Sequence, residues 1–361
     1  SVTLSSATMH PSDPRFSSTS INANGGDHGS PNTLTNSAAR ASELSPLVYA
    51  LPWACLPLFP APLPVPDLTF ARDWPRSERL ADWALDRPMQ RGAAVVGQHV
   101  LCGESAARDR LGHFLATRLA GYREDRDFLD RDATSGLSEP LAYGEISART
   151  CWHHGWRAME GSGGKGAEHF LKELVWREFA YHLMFHSPEI LTGNWRPEWN
   201  AFPWSGEGDA ATRWQRGETG VEIVDAAMRE LYVTGRMHNR ARMLVASYLT
   251  KHLMVDWRIG RDWFADTLVD WDPASNAMGW QWVAGSGPDA APFFRIFNLE
   301  TQAAKFDPGG RYRHHWLRGA GAQGFAAAIP RSWIVRDAPA PMISLAEGRD
   351  RALSAYKAMK S

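Results

Sequence analysis

The segment from 270 to 287, DWDPASNAMGWQWVAGSG, concentrates carboxylates and indoles among small residues. Asp270 and Asp272 have no lysine or arginine close to them in the sequence. Burying such carboxylates is favourable only with a distant arginine or with strong hydrogen bonds. Asn276 follows Asp272 by four residues and Trp280 follows Asn276 by four, so a helix would point all three the same way. The segment therefore predicts a buried polar site with an indole beside it.

A second segment, TGRMHNRARM at 234–243, supplies candidate cations for that site. Guanidinium groups are suited to phosphates and to buried carboxylates because their donors form a planar fork. Helical spacing places four of its side chains on one side, with Arg242 close by: Arg236, Asn239, Arg240 and Met243.

A third segment, EHFLKELVWREFAYHLMFH at 168–186, carries apolar residues around most of a helix, which is typical of a buried helix. Those residues are Phe170, Leu171, Leu174, Val175, Phe179, Tyr181, Leu183 and Phe185. Glu173, Trp176, Arg177 and Ala180 share the remaining stripe. A salt bridge between Glu173 and Arg177 on a solvated face would explain it, and so would a stripe that faces a cavity. The arginine-rich segment favours the cavity.

The stretch TSGLSEPL, at 134–141, is a candidate anion site. Hydroxyl groups of Thr134, Ser135 and Ser138 precede a predicted helix, and backbone N–H groups at such a position bind phosphate. An ordinary helix N-cap has the same composition, so this signal alone is weak.

Composition limits the class of protein. A net charge of −1 over 361 residues does not indicate a nucleic-acid-binding surface, so DNA binding would need a local basic patch. The cysteines Cys55, Cys102 and Cys151 are too scattered for a disulfide framework or a metal site. With no long apolar run and no signal-peptide pattern, we expect a cytoplasmic protein. The 17 tryptophans are unusual and suggest planar ligands or redox chemistry besides core packing.

Apolar periodicity predicts an all-α fold. Helical spacing occurs in SAARDRLGHFLATRLAGY, EIVDAAMRELYVT, RARMLVASYLTKHLMVDW and RDWFADTLVDW. Residues 1–76 are rich in small polar residues and proline and are predicted to be disordered. We expect a linker-like segment at 77–102, a helical domain at 103–335, and a C-terminal helical tail at 336–361.

Together these segments resemble the FAD-binding helical domain of the photolyase/cryptochrome family. The resemblance rests on GYREDRDF, TSGLSEPLAYGEIS, FLKELVWREFAYHL, WQRGETGVEIVDAAMREL, MHNRARMLVASYLTKHLMVDWR and DWDPASNAMGWQWVAGSGPDAAPFFRIFN. It covers residues 103 to 320 approximately. It implies the light-driven repair of cyclobutane pyrimidine dimers in DNA: excited reduced FAD passes an electron to a flipped-out dimer. Among photolyases it points to the class I dimer enzymes.

The resemblance assigns roles to the segments described above. Asp270, Asp272 and Asn276 would contact the flavin ring and ribityl chain, and Arg242 would pair with Asp270. The pyrophosphate and ribityl chain would be held by Tyr122, Thr134, Ser135, Gly136, Leu137, Ser138 and Arg177. An electron relay from the surface would consist of Trp280, Trp257 and Trp214, although each could be ordinary core. The dimer cavity would be formed by Glu173, Trp176, Asn239, Met243 and Trp282, and DNA phosphates would be held by Arg126, Arg240 and Arg295.

Several features depart from the family pattern. No α/β antenna domain is recognisable before residue 103, so no second chromophore is predicted. Arg236 stands where the family usually has tryptophan. A cryptochrome-like blue-light flavoprotein without repair activity, or an inactive truncated photolyase, are the alternatives. No obligate interface is indicated, so a monomer is expected.

Overall fold

The computed structural model describes residues 61–69, 72–85, 93–288, 294–334 and 339–360. Within these ranges the protein is helical and forms no strand; an isolated bridge joins Ser205 and Val255. The predicted all-α fold is confirmed. The α-helices are α1 (Ala93–Val96), α2 (Glu104–Thr117), α3 (Tyr122–Asp125), α4 (Ser138–Ala142), α5 (Ala148–Ala158), α6 (Gly164–His186), α7 (Asp209–Gln215), α8 (Glu222–Thr234), α9 (Asn239–Ser247), α10 (Trp257–Thr267), α11 (Pro273–Ala284), α12 (Leu299–Phe306), α13 (Arg311–Leu317), α14 (Ala320–Ala328) and α15 (Leu345–Lys360).

Short 3-10 and π-helical turns link these helices. The 3-10 turns are Leu80–Trp83, Gly97–His99, Leu119–Gly121, Pro188–Leu191 and Pro197–Ala201, and the π-helical turns are Met159–Gly163 and Tyr248–His252. The segment 240–257, which has helical spacing, forms α9 up to Ser247 and then passes into a π-helical turn. Helix α8, in contrast, coincides with the predicted segment EIVDAAMRELYVT.

Helix α6 connects two parts of the interior. Phe170, Leu171 and Leu174 belong to a core cluster shared with α2 and α5. One to two turns later, Phe179 and Leu183 pack with residues that include Met278 of α11. The expectation that apolar side chains surround a wholly buried helix is wrong at its end: Phe185 is 81% exposed and contacts the ring of His186.

A larger core cluster is built from α8, α9, α10 and α11. The C-terminal helix α15 packs on this body, where the ring of Tyr356 stacks on that of Phe294 at 4.7 Å. Arg351 also donates a hydrogen bond to the carbonyl oxygen of His252. Among the described residues, none of the helices has the length and apolar content needed to cross a membrane.

The predicted disordered segment 1–76 lies mostly outside the described residues. Its described parts, 61–69 and 72–76, form no helix or strand and are exposed. The predicted domain boundaries stay predictions.

Candidate functional site

A cavity of about 360 Å³ opens between α6, α9, α10 and α11. Its volume falls within the range of about 300–1,000 Å³ that is typical of small-molecule sites. Its wall is mostly apolar, with a few polar groups. Half of the lining residues were singled out from the sequence: Trp176, Asn239, Arg242, Met243, Asn276, Trp280 and Trp282.

The start of α11 organises one side of this cavity. Asp272 is the N-cap, and its Oδ1 accepts a hydrogen bond from the N–H of Ser275 at 2.6 Å. Its backbone oxygen accepts from the amide of Asn276 at 2.9 Å, and its other carboxylate oxygen accepts from the hydroxyl of Tyr181. Trp280 follows one turn later, and its indole N–H is buried with no partner among the described residues. The predicted helix with an aligned carboxylate, amide and indole is therefore present.

The buried carboxylate of Asp270 has the distant arginine that the sequence requires. Arg242 donates to both carboxylate oxygens, at 3.0 and 2.7 Å. Its Nε also donates to the carbonyl oxygen of Met237 at 2.9 Å. The guanidinium group is thus held in one orientation at the cavity wall, since its Nε and Nη2 bind different acceptors.

The predicted dimer-binding residues are only partly brought together. Trp176, Asn239, Met243 and Trp282 line the cavity. Glu173 does not belong to its lining and forms an ion pair with Arg126. The alternative pairing of Glu173 with Arg177 on a solvated face is wrong: Arg177 pairs with Glu178 at 2.8 Å and stacks on the ring of Tyr181.

The arginines predicted to hold DNA phosphates differ in their availability. Arg126 is largely buried and paired with Glu173. Arg240 lies over the ring of Phe306 and donates to Asp127 at 2.6 Å. Arg295 is exposed. The positive charges of Arg126 and Arg240 are therefore already paired with acidic residues of the same protein.

The predicted phosphate loop at 134–138 precedes α4 and contains Gly136 in a left-handed conformation, with φ of 62°. Leu137 is fully buried together with Tyr122, in the core cluster shared by α2 and α6. Arg177 reaches this region, because its Nη2 contacts the carbonyl oxygen of Leu141 in α4 at 3.4 Å. Any contact of Leu137 with a ligand would therefore have to be through its backbone.

The three tryptophans predicted as an electron relay are all buried. The ring of Trp214 lies 6.1 Å from that of Trp280 in an edge-on contact. Trp257 donates its indole N–H to Asn194 at 2.9 Å and has Arg258 over its ring at 4.8 Å. None of the three indoles is at the surface. Their role as an electron relay stays a prediction.

Comparison with known proteins agrees with this geometry. The family model "FAD binding domain of DNA photolyase" matches residues 170–358, just over half of the chain. The chain belongs to this family. The matched range contains the whole lining of the cavity and reaches into α15.

Individual photolyase-family proteins are similar over longer stretches. A deoxyribodipyrimidine photo-lyase of Agrobacterium fabrum is 44% identical over 309 residues, which is 82% of this chain and 64% of the relative. A class III photolyase structure from Agrobacterium tumefaciens has a TM-score of 0.72 at 44% identity, covering 81% of this chain and 63% of that one. A Synechocystis cryptochrome structure has a TM-score of 0.63 at 31% identity, covering 71% and 56%. The chain thus spans less than two thirds of the length of each.

The residues present fit the flavin that the family name implies. The lining includes Trp280, whose buried indole N–H has no partner among the described residues, and the uncharged amide of Asn276. The Arg242–Asp270 pair and the Asp272 cap supply fixed polar groups at the same wall. A planar heterocycle with several hydrogen-bonding atoms matches such an apolar wall with few polar groups.

Burial sets the protonation of nearby groups. Desolvation, and then the adjacent Asp272, raise the pKa of Tyr181 to about 12, so its hydroxyl remains a donor. Desolvation lowers the pKa of His238 to about 4, so this imidazole is neutral near pH 7 and accepts from the N–H of Arg240. Desolvation also raises the pKa of Glu230 to about 7, despite the Tyr312 hydroxyl and the charge of Arg242, which both lower it.

Sequence reasoning missed two contributors. The apolar pattern of α6 includes Tyr181, yet the hydroxyl of this residue donates a hydrogen bond to Asp272. Its position four residues after Arg177 on the polar stripe was the available signal. Phe264 of α10 lines the cavity and lies 4.9 Å from the ring of Trp280. No local pattern distinguishes it from an ordinary core phenylalanine.

Proposed function

We propose that this protein is a deoxyribodipyrimidine photo-lyase, a carbon–carbon lyase that repairs cyclobutane pyrimidine dimers in DNA in a light-dependent reaction. The observation that carries the proposal is the shared cavity. Residues expected to hold a dimer (Trp176, Met243 and Trp282) and residues expected at the flavin (Arg242 and Asn276) line the same space. Electron transfer between the two ligands requires this proximity.

The aromatic side chains explain how the cavity would accept a lesion. Trp176 and Trp282 offer flat faces for stacking, which contributes about 1–3 kcal/mol per base. The dimer must leave the duplex to reach them, and its damaged stacking lowers that cost. Asn239 and Met243 then present one polar and one polarisable apolar group to it.

The flavin-side residues would bind and orient the cofactor. When bound, reduced FAD supplies on excitation the electron that splits the dimer. Asn276 offers a neutral amide, which does not repel the additional negative charge of a reduced ring as a carboxylate would. Asp270 stays compensated by Arg242 and can accept a hydrogen bond without being left as an unpaired buried charge.

The carboxylate of Glu173 has to change partner in this scheme. It is bound by Arg126, whereas a role at the lesion requires it to accept hydrogen bonds from the base edges. Arg126 in turn would bind a DNA phosphate. Exchange of the two ion-pair partners would serve both purposes.

The test is repair of thymine dimers in a UV-irradiated single-stranded oligonucleotide, compared in blue light and in darkness with FAD and reductant. We expect repair only in the light. Trp282→Ala is expected to reduce repair at low DNA concentration by about tenfold, since one stacking contact is lost. Trp83→Ala is the matched control, because it removes an exposed indole from the linker-like segment. A flavin-loaded wild-type protein without light-dependent repair refutes the proposal.

A cryptochrome-like flavoprotein without repair activity is the second candidate. The pairing of Arg126 and Arg240 with acidic residues favours it, because these are two of the three predicted DNA contacts. It predicts flavin photoreduction with no loss of dimers. An inactive relative would instead purify without flavin. The class I subdivision, the DNA partner, the lack of a second chromophore and the monomeric state belong to the first proposal as predictions.

A further inference from the structure

Arg236, the residue that departs from the family pattern, forms a two-pronged ion pair with Glu139. Its Nε donates to Oε2 at 2.7 Å and its Nη2 to Oε1 at 2.8 Å. The side chain of Glu139 is 7% exposed and that of Arg236 41% exposed. The two residues are 97 positions apart in the sequence, so the pair joins distant segments. Such parallel hydrogen bonds fix orientation as well as distance.

On one side, the pair holds the loop at 134–138. Glu139 directly follows this loop, in the first turn of α4. Its Oε1 also lies 3.5 Å from Arg110, which donates to the carbonyl oxygen of Gly136 at 2.7 Å. The buried carboxylate is therefore the common anchor for two arginines, and one of them contacts the loop backbone directly.

On the other side, the pair holds the turn at 234–236, which is itself tightly constrained. The N–H of Arg236 donates to the hydroxyl of Thr234 at 2.9 Å. Gly235 has φ of 69°, and its carbonyl oxygen accepts from the N–H of Val269 at 2.8 Å. Val269 precedes Asp270, the partner of Arg242. The turn is thus joined, through Val269 and Asp270, to Arg242 in the cavity wall.

We propose that Glu139 and Arg236 act as a positioning pair, which ties the loop for the flavin phosphates to the wall for the flavin ring and slows the release of FAD. This inference rests on the proposed flavin function. Without the pair, the loop keeps its local contacts but loses its cross-link to the segment that carries Asp270. FAD held at its phosphates by the loop and at its ring by the wall then dissociates faster, because the phosphates can be released independently of the ring.

The experiment measures the rate at which FAD fluorescence appears when purified holoprotein is diluted in the dark. We expect Glu139→Gln and Arg236→Gln each to release FAD about tenfold faster, as expected for the loss of a charge-assisted fork. The double variant should be no faster than the faster single variant, because both changes remove the same interaction. Arg236→Lys retains the charge without the fork and should give an intermediate rate.

Arg313→Gln is the matched control. It removes an arginine from a buried carboxylate, Asp307, six positions away. The second acidic neighbour of Arg313, Glu222 at 3.6 Å, belongs neither to the loop at 134–138 nor to the turn at 234–236. Its release rate should remain within twofold of the wild type. Unfolding of the FAD-free variants is measured in parallel, and release must be faster at a temperature where all of them are folded.

The outcomes separate the two proposals. Wild-type protein that holds FAD, with unchanged release from Glu139→Gln and Arg236→Gln, overturns the positioning role alone. Equal acceleration in Arg313→Gln also overturns it, because the effect would then be general loosening. Wild-type protein that binds no FAD overturns the proposed function, and this inference with it.

Discussion

The Arg242–Asp270 pair gives the sharpest test of how the cavity wall is stabilised. The side chain of Asp270 is 5% exposed, and the side chain of its partner Arg242 is 24% exposed. Removing one member of a buried pair costs about 3–5 kcal/mol, because the other charge is left uncompensated. Arg242→Met leaves Asp270 in that state, so we expect a loss of about 3 kcal/mol, at the lower end because the arginine is partly solvated.

The reverse substitution should cost less. Asp270→Asn keeps an acceptor for Arg242 and leaves a guanidinium group that water reaches, so we expect a loss of about 1–2 kcal/mol. In the double variant no buried carboxylate remains. Its loss should therefore be smaller than the sum of the two single losses.

The assay is urea unfolding of the FAD-free protein at pH 7, followed by far-ultraviolet circular dichroism. Free energies are compared only where the dependence on urea concentration is unchanged. Arg349→Met is the control, because Arg349 and Asp350 form an exposed pair at 3.3 Å, and it should change stability by less than about 0.5 kcal/mol. A larger loss in Asp270→Asn than in Arg242→Met, or an Arg242→Met loss no greater than the control, contradicts the reasoning.

Two further predictions concern Glu230 and Gly235, which lie outside the cavity lining. Burial raises the pKa of Glu230 from 4.5 to about 7 in the folded protein. Between these pH values the folded state therefore binds more protons than the unfolded state, so the free energy of unfolding should fall as pH rises from 5 to 7. Glu230→Gln should lessen this fall, as measured by urea unfolding at both pH values, and an unchanged pH dependence would contradict it. Gly235→Ala should lower stability by more than about 1 kcal/mol, because φ is 69° and a Cβ would overlap the side chain of Val269. Thermal unfolding checks this, with Gly112→Ala as control because a Cβ there meets no neighbour.

The sequence predicts a helix correctly where the regular spacing of its apolar residues alone determines where the helix begins and ends. Residues Glu222–Thr234 have strong apolar spacing and fold as predicted. The pattern at 261–271 also indicates a helix, but α10 ends at Thr267. There the N–H of Val269 bonds to Gly235 instead of continuing the helix. Such an ending depends on a segment more than thirty residues away, which periodicity does not report.

The same limit applies to the site. The column of Asp272, Asn276 and Trp280 follows from helical spacing alone, and the demand for an arginine at Asp270 follows from the cost of a buried charge. The partner of Glu173 does not follow, because Arg126 is 47 residues away. Arg177 has the helical spacing that would allow it to pair with Glu173, but it pairs with Glu178 instead. An ion pair between side chains three or four residues apart on one helix stabilises it by only about 0.2–0.5 kcal/mol, so tertiary contacts decide the partner.

The net charge of −1 and the pairing of Arg126 together bear on how DNA would be selected. Glu173 already compensates the charge of Arg126. A DNA phosphate that approaches this pair is therefore only weakly attracted, and it must displace the carboxylate in order to bind the arginine. The displaced carboxylate then needs new donors, since an unpaired, partly buried charge is unfavourable. Glu173 lies one turn before Trp176 on α6, so a base stacked on that indole would present its N–H groups nearby. Undamaged DNA, with its bases still stacked in the duplex, offers no such donors. Under the proposed function, the exchange therefore favours DNA that carries a flipped dimer, although the arginine itself contacts only the backbone.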